Sequence, residues 1–320
     1  MRFVGVVLGF GVLMQGLMAQ APVERRAPQN QDKDQVPTLR LESRLVNLPL
    51  NVVDEKGVPV AGLERDDFEI LEDGKPQKIA IFEKEAVAPL SIVLSIDASE
   101  SVLRDERLEK DAAKHFLRAL IREQDEVELM DFADTVREVV PFTNQVKRVE
   151  AGLNELQHGS DTALYDAIYL ASDVLAKTKG DASRRRVMVL ITDGGDTVKR
   201  GSLYTQALEQ AQRAGAMVYS IIIVPVWADA GRNTGGEHAL IQMANDTGGK
   251  YYYVVEPKDL EPAFRKVSED LRTQYLLGYY SPQLDKNNGA IRKIRVRMKD
   301  PALEAKYQLR YRTAYYSDSK

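Results

Sequence analysis

The chain has no cysteine among its 320 residues, which excludes a disulfide framework, a thiol nucleophile and a zinc–thiolate site. It has only three histidines, so a bound metal must be held by oxygen. There is no Gly-x-Ser-x-Gly elbow, no His-Glu-x-x-His pair and no phosphate loop. Glu237-His238 lacks the second histidine of a zinc protease, and Gly9-Phe10-Gly11 lies inside an N-terminal apolar run. No histidine is placed by sequence to activate a serine nucleophile, so the chain reads as a binding protein and not as an enzyme. Excess positive charge is also missing: the net charge of −4 points away from nucleic acid as the main partner. The hydrophobic share of 44% and charged share of 29% are those of a soluble globular protein, and the length suggests about two domains.

Long apolar runs are scarce too, and the one at the N-terminus is short for a membrane span. Arg2 precedes an uncharged stretch from Phe3 to Met18, followed by Ala19-Gln20-Ala21. This is the pattern of a secretory signal peptide over residues 1–21, with an uncleaved anchor as the alternative. Cleavage after Ala19 is favoured over Ala21, because Pro22 sits just beyond the latter. No cysteine follows that could carry a lipid. The expected location is therefore outside the cytoplasm, periplasmic or secreted. Residues 22–36 are polar and aperiodic and read as a disordered linker.

One stretch organises the rest. Residues 89–101 (Pro-Leu-Ser-Ile-Val-Leu-Ser-Ile-Asp-Ala-Ser-Glu-Ser) begin as an apolar run suited to a strand buried on both faces of a parallel sheet. They end in an Asp-x-Ser-x-Ser loop before an amphipathic segment. Asp97, Ser99 and Ser101 are hard oxygen donors suited to Mg²⁺ or Mn²⁺, though Asp and Ser also serve as turn and helix-cap residues. Further on, Gly159-Ser160-Asp161-Thr162 places a threonine at the entrance of a helix. A second buried-strand run, from Arg186 to Ile191, leads into Thr192-Asp193-Gly194-Gly195.

With these three motifs in this order, residues 89–272 resemble the von Willebrand factor A (VWA) family. The longer pattern, with β-rich segments before and after, looks like the VWFA-related proteins of bacteria such as acidobacteria. The resemblance implies a doubly wound, Rossmann-like α/β domain carrying a metal-ion-dependent adhesion site. The matching positions are Asp97, Ser99, Ser101, Thr162 and Asp193. It also implies that the hydroxyls coordinate the ion directly, that the acids often act through water, and that a carboxylate of a partner protein completes the shell. Glu100 stands where the family usually has a small residue. With Asp161 and Asp196 it would strengthen cation capture and weaken attraction for an acidic partner, unless these three side chains face solvent. The competing reading is a structural or assembly module of the cell envelope, whose metal only rigidifies loops while the β-rich part makes the contacts.

The flanks, residues 37–88 and 273–318, alternate with period two and are each too small to close a core. Pairing them into one β-sandwich-like module, with the α/β domain inserted, hides both apolar faces. In the first flank Val46, Leu48, Leu50 and Val52 alternate, Pro49 suggests an edge position, and Asp73-Gly74 marks a hairpin. In the second, Ile294, Val296 and Met298 alternate with Lys293, Arg295, Arg297 and Lys299, a stripe that reads as a solvated face discouraging edge pairing. Arg184-Arg185-Arg186 reads as solvated, and His115 as a surface histidine.

Overall fold

The computed structural model describes residues 44–84, 88–100, 106–178, 184–224, 233–281 and 289–317. The signal-peptide and linker segments, and Ser101, lie outside the described residues.

The first flank forms β1 (Arg44–Val53), β2 (Phe68–Glu72), β3 (Lys75–Gln77) and β4 (Ile79–Glu83). The alternation then begins: β5 (Leu90–Asp97), α1 (Glu106–Leu120), β6 (Glu126–Phe132), β7 (Val136–Thr143), α2 (Val146–Gly152) and α3 (Leu164–Ala176). It continues with β8 (Arg185–Thr192), α4 (Tyr204–Ala214), β9 (Ala216–Ile223), α5 (Thr234–Thr247), β10 (Tyr251–Val254) and α6 (Leu260–Arg272). The second flank gives β11 (Tyr275–Ser281), β12 (Ile291–Met298), α7 (Pro301–Lys306), β13 (Gln308–Arg310) and β14 (Ala314–Tyr316).

Among the described residues the central sheet has six strands in the order β10-β9-β8-β5-β6-β7, parallel except for the β6–β7 hairpin. All eight positions of β5 are buried, because helices cover both faces. Ile92, Leu94 and Ile96 pack with α1 and α6, whose Phe116 and Phe264 rings lie 4.8 Å apart, while Val93 packs with α3. Burying each such side chain contributes about 1.5–3 kcal/mol. The chain runs outward from β5 to β7 and returns to β8 on the other side of β5. Between β5 and β8 the strand order therefore reverses, and the loops leaving their carboxyl ends diverge into a crevice.

The two flanks interleave as expected. One sheet has the order β13-β1-β11-β4 and the other β14-β12-β2-β3, so each contains strands from both ends of the chain. Their facing sides share one core that includes Leu48, Leu50, Phe68, Ile70, Leu277, Tyr279, Ile294 and Val296. β1 runs antiparallel to β11, from Arg44 opposite Ser281 to Leu50 opposite Tyr275. Among the described residues its other side pairs with a strand, β13, only over Asn51–Val53, so Pro49 lies in the half of β1 that has β11 as its one strand partner.

The basic stripe of β12 is exposed at Lys293, Arg295 and Arg297 as expected, and β14 pairs β12 only over Ile291–Lys293, so Arg295 and Arg297 stand where β2 is the one strand partner among the described residues. Several local readings need correction. Arg185 is not solvated but 4% exposed. Its Nη1 donates to Leu271 O (2.6 Å) and Gln274 Oε1 (2.9 Å), and its Nη2 to Ala88 O (3.2 Å). Arg184 and Arg186 donate to Leu90 O and Leu175 O. The reason is positional: carbonyls gathered at the amino edge of the central sheet need donors, and a guanidinium supplies several. Burial pushes the Arg185 pKa down to about 10. Beside it Asn51 of β1 and Gln274 both donate to Tyr219 OH of β9 (3.1 and 3.2 Å), tying the sandwich to the α/β domain. Pro59 makes an isolated bridge to Val53. α7, capped by Asp300, was not expected from the alternation around it.

Candidate functional site

The site lies where β5 and β8 end. Asp97, the last residue of β5, is 2% exposed. Its Oδ1 accepts from Ser99 N (2.9 Å) and its Oδ2 from Thr192 Oγ1 (2.6 Å). The carboxylate thus folds its own loop back and clamps it to the end of the neighbouring strand. Burial pushes the Asp97 pKa up to about 6; the hydrogen bonds from Ser99 and Thr192 pull it down and the nearby charge of Asp193 pushes it up.

The second loop is laid beside the first by backbone pairing. Ser99 bridges Gly159, with Glu100 N donating to Gly159 O (3.1 Å) and Gly159 N to Ala98 O (3.3 Å). Asp134, in the β6–β7 turn, orders the residues that follow by accepting Ser160 N (3.1 Å) and Asp161 N (2.7 Å) at Oδ1. Thr162 is 4% exposed and exchanges two bonds with the third loop: its N–H donates to Thr197 Oγ1 (2.8 Å), and Thr197 N donates to Thr162 O (2.9 Å).

In the third loop Gly195 N donates to Asp193 Oδ1 (3.0 Å). A methyl group at position 195 would lie 3.2 Å from Asp193 Oδ1 and 4.0 Å from Thr162 Oγ1. Asn233 Nδ2 stands 3.9 Å from the same point, so the glycine is what lets these three side chains draw close together. Gly194 adopts φ +87°, a left-handed conformation natural only to glycine. Its carbonyl lies so near Gly236 at the start of α5 that a Cβ there would stand 1.7 Å from it. Asn233 locks the contact, donating from Nδ2 to Gly194 O (3.2 Å) and accepting Gly236 N (3.0 Å) as the cap of α5.

Of the five residues singled out by sequence, the structure brings the segments bearing Asp97, Ser99, Thr162 and Asp193 to one crevice; Ser101 lies outside the described residues. Among the described residues no three His, Asp or Glu side chains converge. The donor set mixes carboxylate with hydroxyl, all hard oxygens, which suits Mg²⁺ or Mn²⁺ and not a soft metal. Glu100 and Asp161 are exposed, and Asp161 Oδ1 accepts from Thr197 Oγ1 (3.2 Å). Asp196 takes a different role from either one expected: its Oδ1 accepts Tyr165 N (3.2 Å) and caps the start of α3. Burial raises its pKa, and the N–H groups of Tyr165 and Leu164 pull it back. Asn233, Asp134 and Thr192 were missed as site-shaping residues. Only Thr192, inside the third motif, carried a local signal.

Residues 92–195 match the family described as the von Willebrand factor type A domain. Among solved structures, the von Willebrand factor type A protein from Catenulispora acidiphila is similar with a TM-score of 0.51 at 12% identity, covering 86% of this chain and 74% of that one. BatB from Bacteroides thetaiotaomicron is similar with a TM-score of 0.44 at 19% identity, covering 56% of this chain and 99% of that one. The pilus adhesin SpaC from Lactobacillus rhamnosus GG, in its open conformation, gives 0.49 at 11% identity, with 79% and 43% covered. The first of these likenesses shows the fold and nothing finer. No curated protein matches the chain.

Proposed function

Because this chain carries a von Willebrand factor type A domain, we propose that its crevice binds one divalent cation, Mg²⁺ or Mn²⁺, and there captures an acidic side chain of a partner protein outside the cytoplasm. The observation that supports this reading is the approach of Asp193 Oδ1 and Thr162 Oγ1 to each other at Gly195, on loops joined to the Asp97 loop through Thr192 and Gly159.

The residues divide the work. Asp97 has both oxygens engaged by Ser99 N and Thr192 Oγ1, so it fixes the loop geometry and supplies negative charge from behind. Thr162, Asp193 and the Ser99 hydroxyl would hold the ion, with Ser101 completing the set that the sequence indicates. A bound Mg²⁺ supplies a compact positive charge with positions left for oxygen ligands from outside. Two carboxylates and neutral hydroxyls leave that charge only partly screened, so an incoming carboxylate is favoured. Asp196, turned to α3, does not add to the acids facing the crevice. Export rests on the charged, apolar and small-residue pattern of residues 1–21.

A thermal-shift titration tests the reading. Binding to the folded form alone raises its stability by about 2.7 kcal/mol at one hundred times the dissociation constant, and the shift grows with the logarithm of the metal concentration. Wild type should show this rise with Mg²⁺ and lose it with chelator, and Asp97→Ala should show none. A wild type without any metal shift would refute the site. A metal shift together with chelator-insensitive partner capture would hand the binding role to the β module.

A further inference from the structure

A small cavity lies at the amino edge of the central sheet, beside both connections between the sandwich and the α/β domain. Ala88, just before β5, and Leu271 and Arg272, at the end of α6, form part of its wall. Arg122 and Asp125, between α1 and β6, and Arg185 of β8 face them. The cavity has about 10 Å³ of room, which suits roughly one guest the size of a water molecule.

Three arginines line it against one carboxylate. Arg185 is buried, and its guanidinium is fixed at the wall: Nη1 donates to Leu271 O and Nη2 to Ala88 O. Arg122 and Arg272 are exposed, and Arg272 Nη2 is anchored on Ala119 O. Burial is the main cause that holds the Arg185 pKa down to about 10, and the charge of Arg122 acts in the same direction, so these two cations sense each other. Among the described residues neither Arg122 nor Arg272 is paired with a carboxylate. Asp125, the one acid of the lining, is buried and held by the backbone: its Oδ1 accepts Leu90 N (2.8 Å) and its Oδ2 accepts Arg122 N (2.9 Å). Glu83, whose charge also reaches Arg185, is exposed to solvent and lies outside the lining. The wall therefore carries an excess of positive charge around a space for one small guest. A water molecule would fill that space and leave the excess in place. A single-atom anion fills it and offsets the charge, whereas an anion of several heavy atoms exceeds the room.

We propose that this cavity binds one halide ion, chloride under ordinary conditions, between the guanidinium groups of Arg122, Arg185 and Arg272. The ion accepts their N–H groups where the chain passes from the sandwich into β5 and from α6 into β11, and so ties the two parts together. The site is independent of the divalent cation, whose proposed place is at the opposite, carboxyl edge of the sheet.

The test melts the full chain in rising sodium chloride, with ionic strength held constant by sodium gluconate, and follows the line width of the chloride NMR signal in parallel. Wild type should gain melting temperature with the logarithm of chloride concentration and broaden the chloride line. Bromide should reproduce the gain, and sulfate should not. Arg122→Gln should need at least about tenfold more chloride for the same gain, the scale of losing one charged hydrogen-bond donor. Arg265→Gln removes an exposed arginine of α6 that pairs with Glu269 (3.9 Å) and should leave the chloride response unchanged. A sharp melting transition in gluconate confirms that each variant is folded. A gain equal in chloride and sulfate, or equal in wild type and Arg122→Gln, would be screening of surface charge and would overturn the site. No gain with chloride would leave water as the guest and overturn it as well.

Discussion

Glu128 in β6 is 2% exposed, and its Oε1 meets no hydrogen-bond partner among the described residues. Burial, with the charges of Glu138 and Glu126 adding to it, pushes its pKa up to about 8 from an ordinary 4.5. For an acid whose folded pKa is raised, the sign is destabilising. Below pH 4.5 the carboxyl is neutral in both states and costs nothing. As pH rises from 4.5 to 8, the unfolded chain releases a proton that the folded chain keeps, and stability falls through that window. At pH 7 the gap of 2.5 units corresponds to at most about 3 kcal/mol at 1.36 kcal/mol per unit. Relaxation around the strand and screening by water reduce this to about 1–2 kcal/mol. Glu128→Gln keeps the shape and removes the ionisation. Its melting temperature should match wild type at pH 4.5 and exceed it by roughly 4 °C at pH 8. Thermal denaturation followed by circular dichroism at both pH values is the assay. An equal difference at the two pH values, or a lower melting temperature for glutamine at pH 8, would refute the argument.

Gly195→Val crowds Asp193 Oδ1 and pushes it away from Thr162 Oγ1, so it should cut Mg²⁺ affinity at least about tenfold, read as a rightward displacement of the thermal-shift titration. Gly236→Ala sets a methyl against the Gly194 carbonyl and should destabilise the fold by about 1–3 kcal/mol in urea denaturation, while Gly235→Ala, open on the same turn, should not. Arg185→Ala leaves Leu271 O, Ala88 O and Gln274 Oε1 without their donor, and a loss of about 3 kcal/mol or more is expected; a loss under about 1 kcal/mol would show that water replaces the guanidinium.

What the sequence determined by itself is the local chemistry. The fully apolar run before Asp97 reads as a strand covered on both faces, because a solvated face would need alternating polar residues. Thr162 and Asp193 stand out for the same reason, each oxygen-bearing residue lying at the end of a recognisable strand or the start of a helix. The period-two flanks carry their own pattern, and the shortage of apolar surface in each half argues for pairing them. Signals of this kind reside in neighbours one to four positions apart, which one sequence displays.

Tertiary structure alone decided the rest. Asn233 lies 39 residues from the Gly194 carbonyl that it holds, and nothing around it distinguishes it from a turn asparagine. Asp196 reads as one more acid beside the crevice until α3 presents its N–H groups to it. The Arg184-Arg185-Arg186 run reads as solvated, since charge favours water; Arg185 is buried because the end of α6 and the segments before β5 and β11 bring Leu271 O, Ala88 O and Gln274 Oε1 to its guanidinium. In each case the deciding partner is distant in sequence and is fixed by the packing of whole elements, where an unpaired buried polar group costs more than the order needed to satisfy it.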